Sequence, residues 1–221
     1  MSDEFDGVLA APARGAGSLA YEKLVEMLLS RRLSADTPVA ERRLAIELGV
    51  SRTPLREALH RMEGEGLLLR RSDGTLTVRR LDIEELLEVL NVRRLLEVEA
   101  TGAAAGAIPR TRLEALRARV LRLLEEGDPE SPERLALDLA IHQAIGEACG
   151  NRTLAGLITD LRRRTQLLAT RRTPERLEPV CAEHLAILDA LAAGDAQAAK
   201  AAMAAHVDST RAGILRRLLS T

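Results

Sequence analysis

At 221 residues the chain can bury one large core or two modest ones. Its 46% hydrophobic and 29% charged content is ordinary for a globular protein. Aromatics make up 1%, one Tyr and one Phe, so the core must be built from Leu, Ala, Val and Ile, the packing residues of helices. The formal net charge of −1 excludes an indiscriminate polyanion binder. There is no apolar run of the roughly 18 residues a membrane span needs, and the N-terminus is acidic where a signal peptide is basic. A cytoplasmic protein with no membrane partner is expected. Two cysteines, Cys149 and Cys181, are too few for a disulfide framework and read as small buried thiols.

In chain order, residues 1–17 are Ala/Gly/Pro-rich without apolar periodicity and read as a disordered leader. Ser18 is placed to cap a helix carrying Leu19, Leu24, Val25, Leu28 and Leu29. After a loop over Ser34 to Pro38, a second helix (about Glu41 to Leu48) stops at Gly49. Beyond Val50 and Ser51 a third helix runs to about Glu63, which makes a helix-turn-helix. After Gly66 the period becomes extended: residues 67–70 and 75–79 flank Arg71-Ser72-Asp73-Gly74, an Asp-Gly hairpin that forms a wing. From Asp82 onward the pattern is helical over about 82–106, 110–126, 132–149, 151–171, 174–193 and 195–219. Gly102 and Gly106 weaken the end of the first of these, leaving it as one helix or two. The short connections at Pro109, Gly127, Gly150, Pro174 and Gly194 predict an antiparallel bundle. The fold class is therefore mainly α, with a winged helix-turn-helix over 18–80 and an all-helical domain over 81–221.

Charge is uneven along this plan. Residues 18–80 hold 12 Lys/Arg against 9 Asp/Glu, whereas residues 81–221 hold 19 against 21, so the nucleic-acid footprint is N-terminal. Ser51 can cap the third helix and Pro54 fits its first turn. That turn presents Arg52 and Thr53, with Arg56 on nearly the same face, and Arg42 begins the preceding helix. The N-terminal end of a recognition helix meets base edges in the major groove, where an arginine fork pairs with guanine or holds a phosphate. The plainer reading is a solvated arginine face. His60, late on the same helix, reads as solvated or phosphate-side.

The string AERRLAIELGVSRTPLREALHRMEGEGLL with a Gly-tipped wing resembles the GntR family of bacterial regulators, over about residues 18–80. The resemblance implies that Arg42, Arg52, Thr53 and Arg56 contact double-stranded operator DNA, with Ser51 opening the reading helix and Gly74 at the minor-groove end of the wing. A two-fold homodimer would read a pseudo-palindromic operator. The loop Leu33 to Pro38 departs from the family, with Ala35 and Asp36 where a Pro-Gly turn is usual.

Three of the four histidines fall in the helical domain. Asp138 and His142, at i and i+4, share a helix face, and His184 and His206 lie on the last two helices on either side of Gly194. Asp138 sits in an apolar run, where a buried carboxylate needs a partner. One carboxylate and three imidazoles suit Zn, Ni, Mn or Fe. The segments 138–151, 183–191 and 201–206 resemble the FCD ligand-binding domain of the FadR subfamily. The resemblance implies that Asp138, His142, His184 and His206 hold a divalent ion. Arg93, in the family's R-x-x-L-E pattern, either pairs with the carboxylate of a small effector or makes a surface ion pair with Glu97. Arg162 to Arg164 and Arg171 to Arg172 read as a solvated basic face, with one of them able to line the pocket instead.

The expected function is a transcription regulator, not an enzyme, whose operator affinity responds to a small carboxylate metabolite at or near the metal. The rivals are a metal-dependent hydrolase on the helical domain, for which Glu147 is the only nearby acid-base group, and an architectural DNA binder.

Overall fold

The structure is a computed structural model, and it describes residues 15–30, 32–33, 38–79, 83–168 and 177–219. The chain divides into two compact units, Met1–Arg80 and Leu81–Thr221.

In the first unit, helix α1 (Ala16–Leu29) buries Ala20, Tyr21, Leu24, Met27 and Leu28, the stripe that a 3.6-residue period puts on one side. Its N-cap is Gly15, and Ser18 lies inside the first turn. The expected cap at Ser18 is thus corrected, and Ala16 and Gly17 leave the proposed leader for the helix. Residues 1–14 and the Ala35-Asp36 turn lie outside the described residues. Helix α2 (Glu41–Leu48) buries Leu44, Ala45 and Leu48 and closes on Gly49, whose φ of 65° is the left-handed conformation that glycine adopts without strain. Helix α3 (Arg52–Gly64) turns Leu55, Ala58, Leu59 and Met62 inward and packs on α1 and α2.

Strands β1 (Leu68–Arg70) and β2 (Leu76–Val78) pair antiparallel with Leu69 opposite Thr77. They are shorter than the extended pattern of the sequence. The Leu67 N–H is spent on Met62 O (2.9 Å), closing the helix instead of entering the ladder. Val39 N–H donates to Leu76 O (2.8 Å) and gives the small sheet a third edge. At the wing tip, Asp73 Oδ1 accepts from Thr75 N–H (2.8 Å) and Gly74 takes a φ of 85°.

The second unit is a helical bundle: α4 (Ile83–Ala104), α5 (Arg110–Glu126), α6 (Pro132–Ala148), α7 (Arg152–Leu168), α8 (Leu177–Ala193) and α9 (Ala196–Leu219). α4 lies against α9, α7 and α6, while α5 lies against α8 and α6. The shared core is aliphatic, as the aromatic-poor composition requires, and is centred on Ile141, Ile187, Leu188, Leu191 and Met203. α4 remains one helix through Gly102, where the missing Cβ leaves room for the Lys200 side chain from α9. Gly106 donates its N–H to Leu191 O (3.2 Å) and sits against Gly194 in the α8–α9 turn, so two glycines allow two turns to touch. Ser131 caps α6 by accepting from Glu133 N–H (3.3 Å), with Pro132 at the first helical position. Cys149 and Cys181 are buried free thiols. Among the described residues no helix is long and apolar enough to cross a membrane.

Candidate metal centre and nucleic-acid interface

On the first unit, Arg52, Thr53 and Arg56 are exposed at the start of α3, and Arg42 is exposed at the start of α2. Ser51 occupies the N-cap position with extended backbone (φ −73°, ψ 167°), but its side chain makes no capping bond. The expectation that its hydroxyl caps α3 is corrected, and the first-turn N–H groups are not taken up by it. Arg56 is held by Glu41, Nε to Oε2 2.9 Å. The exposed tip Gly74 is braced from below, a feature that went unread in the sequence. Arg70 joins Glu63 on α3 through two bonds of 3.0 and 2.9 Å and donates to Gly74 O at 3.2 Å. His60 is exposed, 3.7 Å from Glu63.

In the second unit α6 supplies Asp138 and His142, α8 supplies His184 and α9 supplies His206. One ligand atom from each lies within 4.8 Å of all the others. Each of three donors is fixed from behind. Glu97, on α4, accepts from His142 Nδ1 at 2.7 Å. Glu183 stands 2.8 Å from His206 Nδ1. Arg162, on α7, donates to Asp138 Oδ2 at 2.5 Å. These contacts leave Nε2 of the two rings and Oδ1 of the carboxylate for the shared space. There His142 Nε2 and His184 Nε2 are buried and without a hydrogen-bond partner. His184 Nε2 comes to 3.4 Å from Asp138 Oδ1, but outside hydrogen-bond geometry.

The electrostatics keep those lone pairs bare. Burial is the largest single influence on the Glu97 and Asp138 carboxyls and works to raise them, with Arg162 the largest of the opposing ones at both. Arg93 and His142 add to its effect at Glu97, and His184 and His142 at Asp138, so both groups sit well below the usual carboxylate range. Burial, with Arg162 second, brings His142 down to about 3, and burial lowers His184 as well. At neutral pH His142 is therefore uncharged, with its proton on Nδ1 toward Glu97. Buried unpartnered imidazole nitrogens are costly unless something electrophilic meets them, and a carboxylate plus three imidazoles is the donor set of a borderline divalent cation. The residues present fit such an ion.

Two arginines depart from the sequence reading. Arg162, expected on a solvated face, is buried because it bridges Glu97 (2.9 Å) and Asp138. Two charges on other helices demand it, and no local spacing reveals them. Arg171 and Arg172 lie outside the described residues. Arg93 does pair with Glu97 (2.6 Å), yet at 6% exposure this is no surface pair, and its Nη1 donates to Thr165 Oγ1 at 2.9 Å. Arg93, Asp138, Arg162 and His206 share the wall of a cavity of about 230 Å³, whose apolar side includes Leu90 and Val180. Glu183 is a contributor that sequence reasoning missed, and Arg162 is the arginine of its run that lines the pocket.

A winged helix-turn-helix followed by a separate helical bundle defines a class of two-domain DNA-binding regulator. Residues 17–78 match the model for bacterial regulatory proteins of the gntR family, and residues 88–209 match the FCD domain. The chain belongs to the GntR family and carries the FadR-type pairing of the two domains; it is a DNA-binding transcription regulator. It is 32% identical to an Escherichia coli (strain K12) protein named "Putative L-lactate dehydrogenase operon regulatory protein", over 76% of this chain and 74% of that one. It is 30% identical to the "Probable D-xylose utilization operon transcriptional repressor" of Paenarthrobacter nicotinovorans, over 83% and 82%. The structure of E. coli McbR/YncC superposes with a TM-score of 0.80 at 21% identity, covering 92% of this chain and 99% of that one, a likeness of fold. Both domains and these relatives are those of regulators, not enzymes, and nothing supports the hydrolase alternative.

Proposed function

We propose that operator affinity in this regulator is set by a small carboxylate held beside a divalent ion (Zn, Ni, Mn or Fe) at Asp138, His142, His184 and His206. The observation that carries this reading is the pair of buried, unpartnered Nε2 atoms of His142 and His184, converging with Asp138 and His206 within 4.8 Å. When bound, such an ion supplies open coordination positions that a carboxylate can fill. The charges favour an anion there. Glu97 and Asp138 already balance Arg93 and Arg162, and Glu183 beside His206 offsets one charge of a dication, so the other is left for a ligand carboxylate. Arg93 faces the cavity and is the anchor for the ligand carboxylate, and about 230 Å³ limits the ligand to a small molecule. The E. coli relative's name refers to an operon for handling lactate, a 2-hydroxy acid, which is in keeping with this ligand class.

In the other unit, Arg42, Arg52, Thr53 and Arg56 read the operator, with Ser51 opening the reading helix and Gly74 at the tip of the wing. The operator is pseudo-palindromic and is read by a homodimer. The test is metal analysis of protein purified without chelator or nickel resin, beside operator titrations with and without candidate carboxylates. The reading expects about one ion per chain, lost in His184→Ala/His206→Ala. A double variant that keeps its full metal content would exclude these ligands.

A further inference from the structure

Arg162 also stands in the wall of a second, larger cavity. This one lies between α6 and α7 and has a volume of about 820 Å³. Its apolar surface comes from Leu139 on α6 and from Ala155 and Ile158 on α7. Gly146 and Gly156 line it as well, for different reasons. A Cβ at Gly146 would come to 3.3 Å from the Ala155 Cβ, so that glycine lets the two helices approach. A Cβ at Gly156, inside α7, would meet nothing within 4 Å. Glycine in a helix interior lowers stability relative to alanine, and no contact among the described residues requires it at Gly156. What its missing side chain leaves is room in the cavity.

The polar groups around that room are not alike. Glu147 accepts from Arg112 Nη1 at 2.6 Å and from Gln143 Nε2 at 2.7 Å, Asn151 Oδ1 accepts from Leu154 N–H at 3.0 Å, and Thr159 Oγ1 donates to Ala155 O at 2.9 Å. Each is satisfied within the chain. Arg162 is 5% exposed and its terminal nitrogens are taken by Glu97 and Asp138, but its Nε is buried without a hydrogen-bond partner. A buried donor on a charged group is costly to leave unmet. The small carboxylate proposed above is anchored at Arg93 and makes no use of this N–H.

We infer that the α6–α7 cavity is a second ligand site, taking an amphipathic molecule whose apolar body lies along Leu139, Ile158 and Gly156 and whose oxygen acceptor meets Arg162. A volume of about 820 Å³ is that of a site for a drug-sized ligand, and it admits a body too large for the 230 Å³ cavity. The inner end of the site is formed by buried His142 and Arg162, so its occupant abuts the cluster of proposed metal ligands from the α6–α7 side. This goes beyond the small-carboxylate reading and stands without Arg93.

Two fluorescent dyes with one ring system separate the parts of the claim: anilinonaphthalene sulfonate carries an oxygen acceptor, and phenylnaphthylamine lacks it. Titrated into the full-length protein, the sulfonate binds saturably at about one per chain and at least about 10-fold more tightly than the amine, the factor expected of a hydrogen bond to a charged group. Gly156→Leu fills the cavity and weakens the sulfonate dye at least about 10-fold, whereas Val180→Met, which narrows the smaller cavity, leaves it unchanged. Circular dichroism confirms that each variant is folded. Should Gly156→Leu fail to fold, Gly156→Ala gives a smaller loss in the same direction. Unchanged dye binding in the folded Gly156 variant overturns the site, and an amine bound as tightly as the sulfonate overturns the acceptor at Arg162. A loss in Val180→Met equal to that in Gly156→Leu places the dye in the smaller cavity and overturns the second site. So does a Gly156→Leu chain that turns from dimer to monomer in sedimentation velocity, because a second copy then covers the cavity. None of these outcomes alters the metal content or the operator titrations that test the small-carboxylate reading.

Discussion

Glu97 touches three functional side chains at once: Arg93 at 2.6 Å, Arg162 at 2.9 Å and His142 Nδ1 at 2.7 Å. It is the carboxylate that fixes the His142 tautomer and also holds the arginine of the cavity. Carboxylates that orient a ligating histidine typically contribute 10- to 100-fold to metal affinity. Glu97→Gln should therefore weaken zinc binding by about that factor in a competition titration; unchanged affinity would show that His142 needs no such support. Glu97→Ala strips two buried guanidiniums of a partner and should destabilise the fold by about 3–5 kcal/mol, read by denaturant unfolding. The same cluster sets a pH response in metal-free protein. His142, near 3 when folded against an ordinary 6.5, contributes stability that is present above about pH 6.5 and is lost as pH falls toward 3. Asp138 and Glu97, both depressed, add a loss of the same sign once pH drops below the ordinary carboxylate range. Calorimetry should show the melting temperature of the metal-free chain falling between pH 7 and 4. A flat profile would contradict a neutral buried His142.

At the scale of elements, the reading helix α3 depends on the turn that precedes it. Gly49 has a φ of 65°, and a side chain in the left-handed region costs about 1–2 kcal/mol. Gly49→Val should lower both stability and operator affinity, while Gly49→Asn, which tolerates that conformation better, should lower them less. Arg52→Ala or Arg56→Ala should weaken specific operator binding by about 1–3 kcal/mol with melting unchanged. For Arg56 part of the cost of binding is release from Glu41, so Glu41→Gln should bind slightly more tightly in the same gel-shift series. Much at this scale was legible in the sequence. The Gly49 stop, the Asp73-Gly74 hairpin and the bundle punctuation are local signals, and Asp138 with His142 is a one-turn spacing on one helix. Ser18 misled because a residue suited to capping can equally sit in the first turn when glycine precedes it. Arg162 misled because three arginines in a row look like a solvated face, and only the placement of Glu97 and Asp138 on α4 and α6 brings the first of them inside. Glu183 opens the segment 183–191, but nothing local ties it to the residue it orients, His206, 23 positions away.

If the second unit senses a ligand, a signal must pass between Leu81–Thr221 and the DNA-binding unit over Met1–Arg80. The donors Asp138, His142, His184 and His206 come from α6, α8 and α9, and Arg93 and Glu97 from α4. A ligand seated among them bears on four helices at once. It can change operator affinity only by its differential affinity for two arrangements of the chain, commonly about 1–3 kcal/mol, or 5- to 150-fold. Linkage makes the effect reciprocal, so operator DNA must change ligand affinity by the same factor. The most direct measurement is therefore calorimetric: the small carboxylate titrated into zinc-loaded protein with and without saturating operator, in wild type and in Arg93→Ala. A difference of about 5- to 150-fold between the two conditions is expected in wild type, and binding too weak to measure in Arg93→Ala. Equal ligand affinity with and without operator would contradict it, leaving a binding pocket without a regulatory switch.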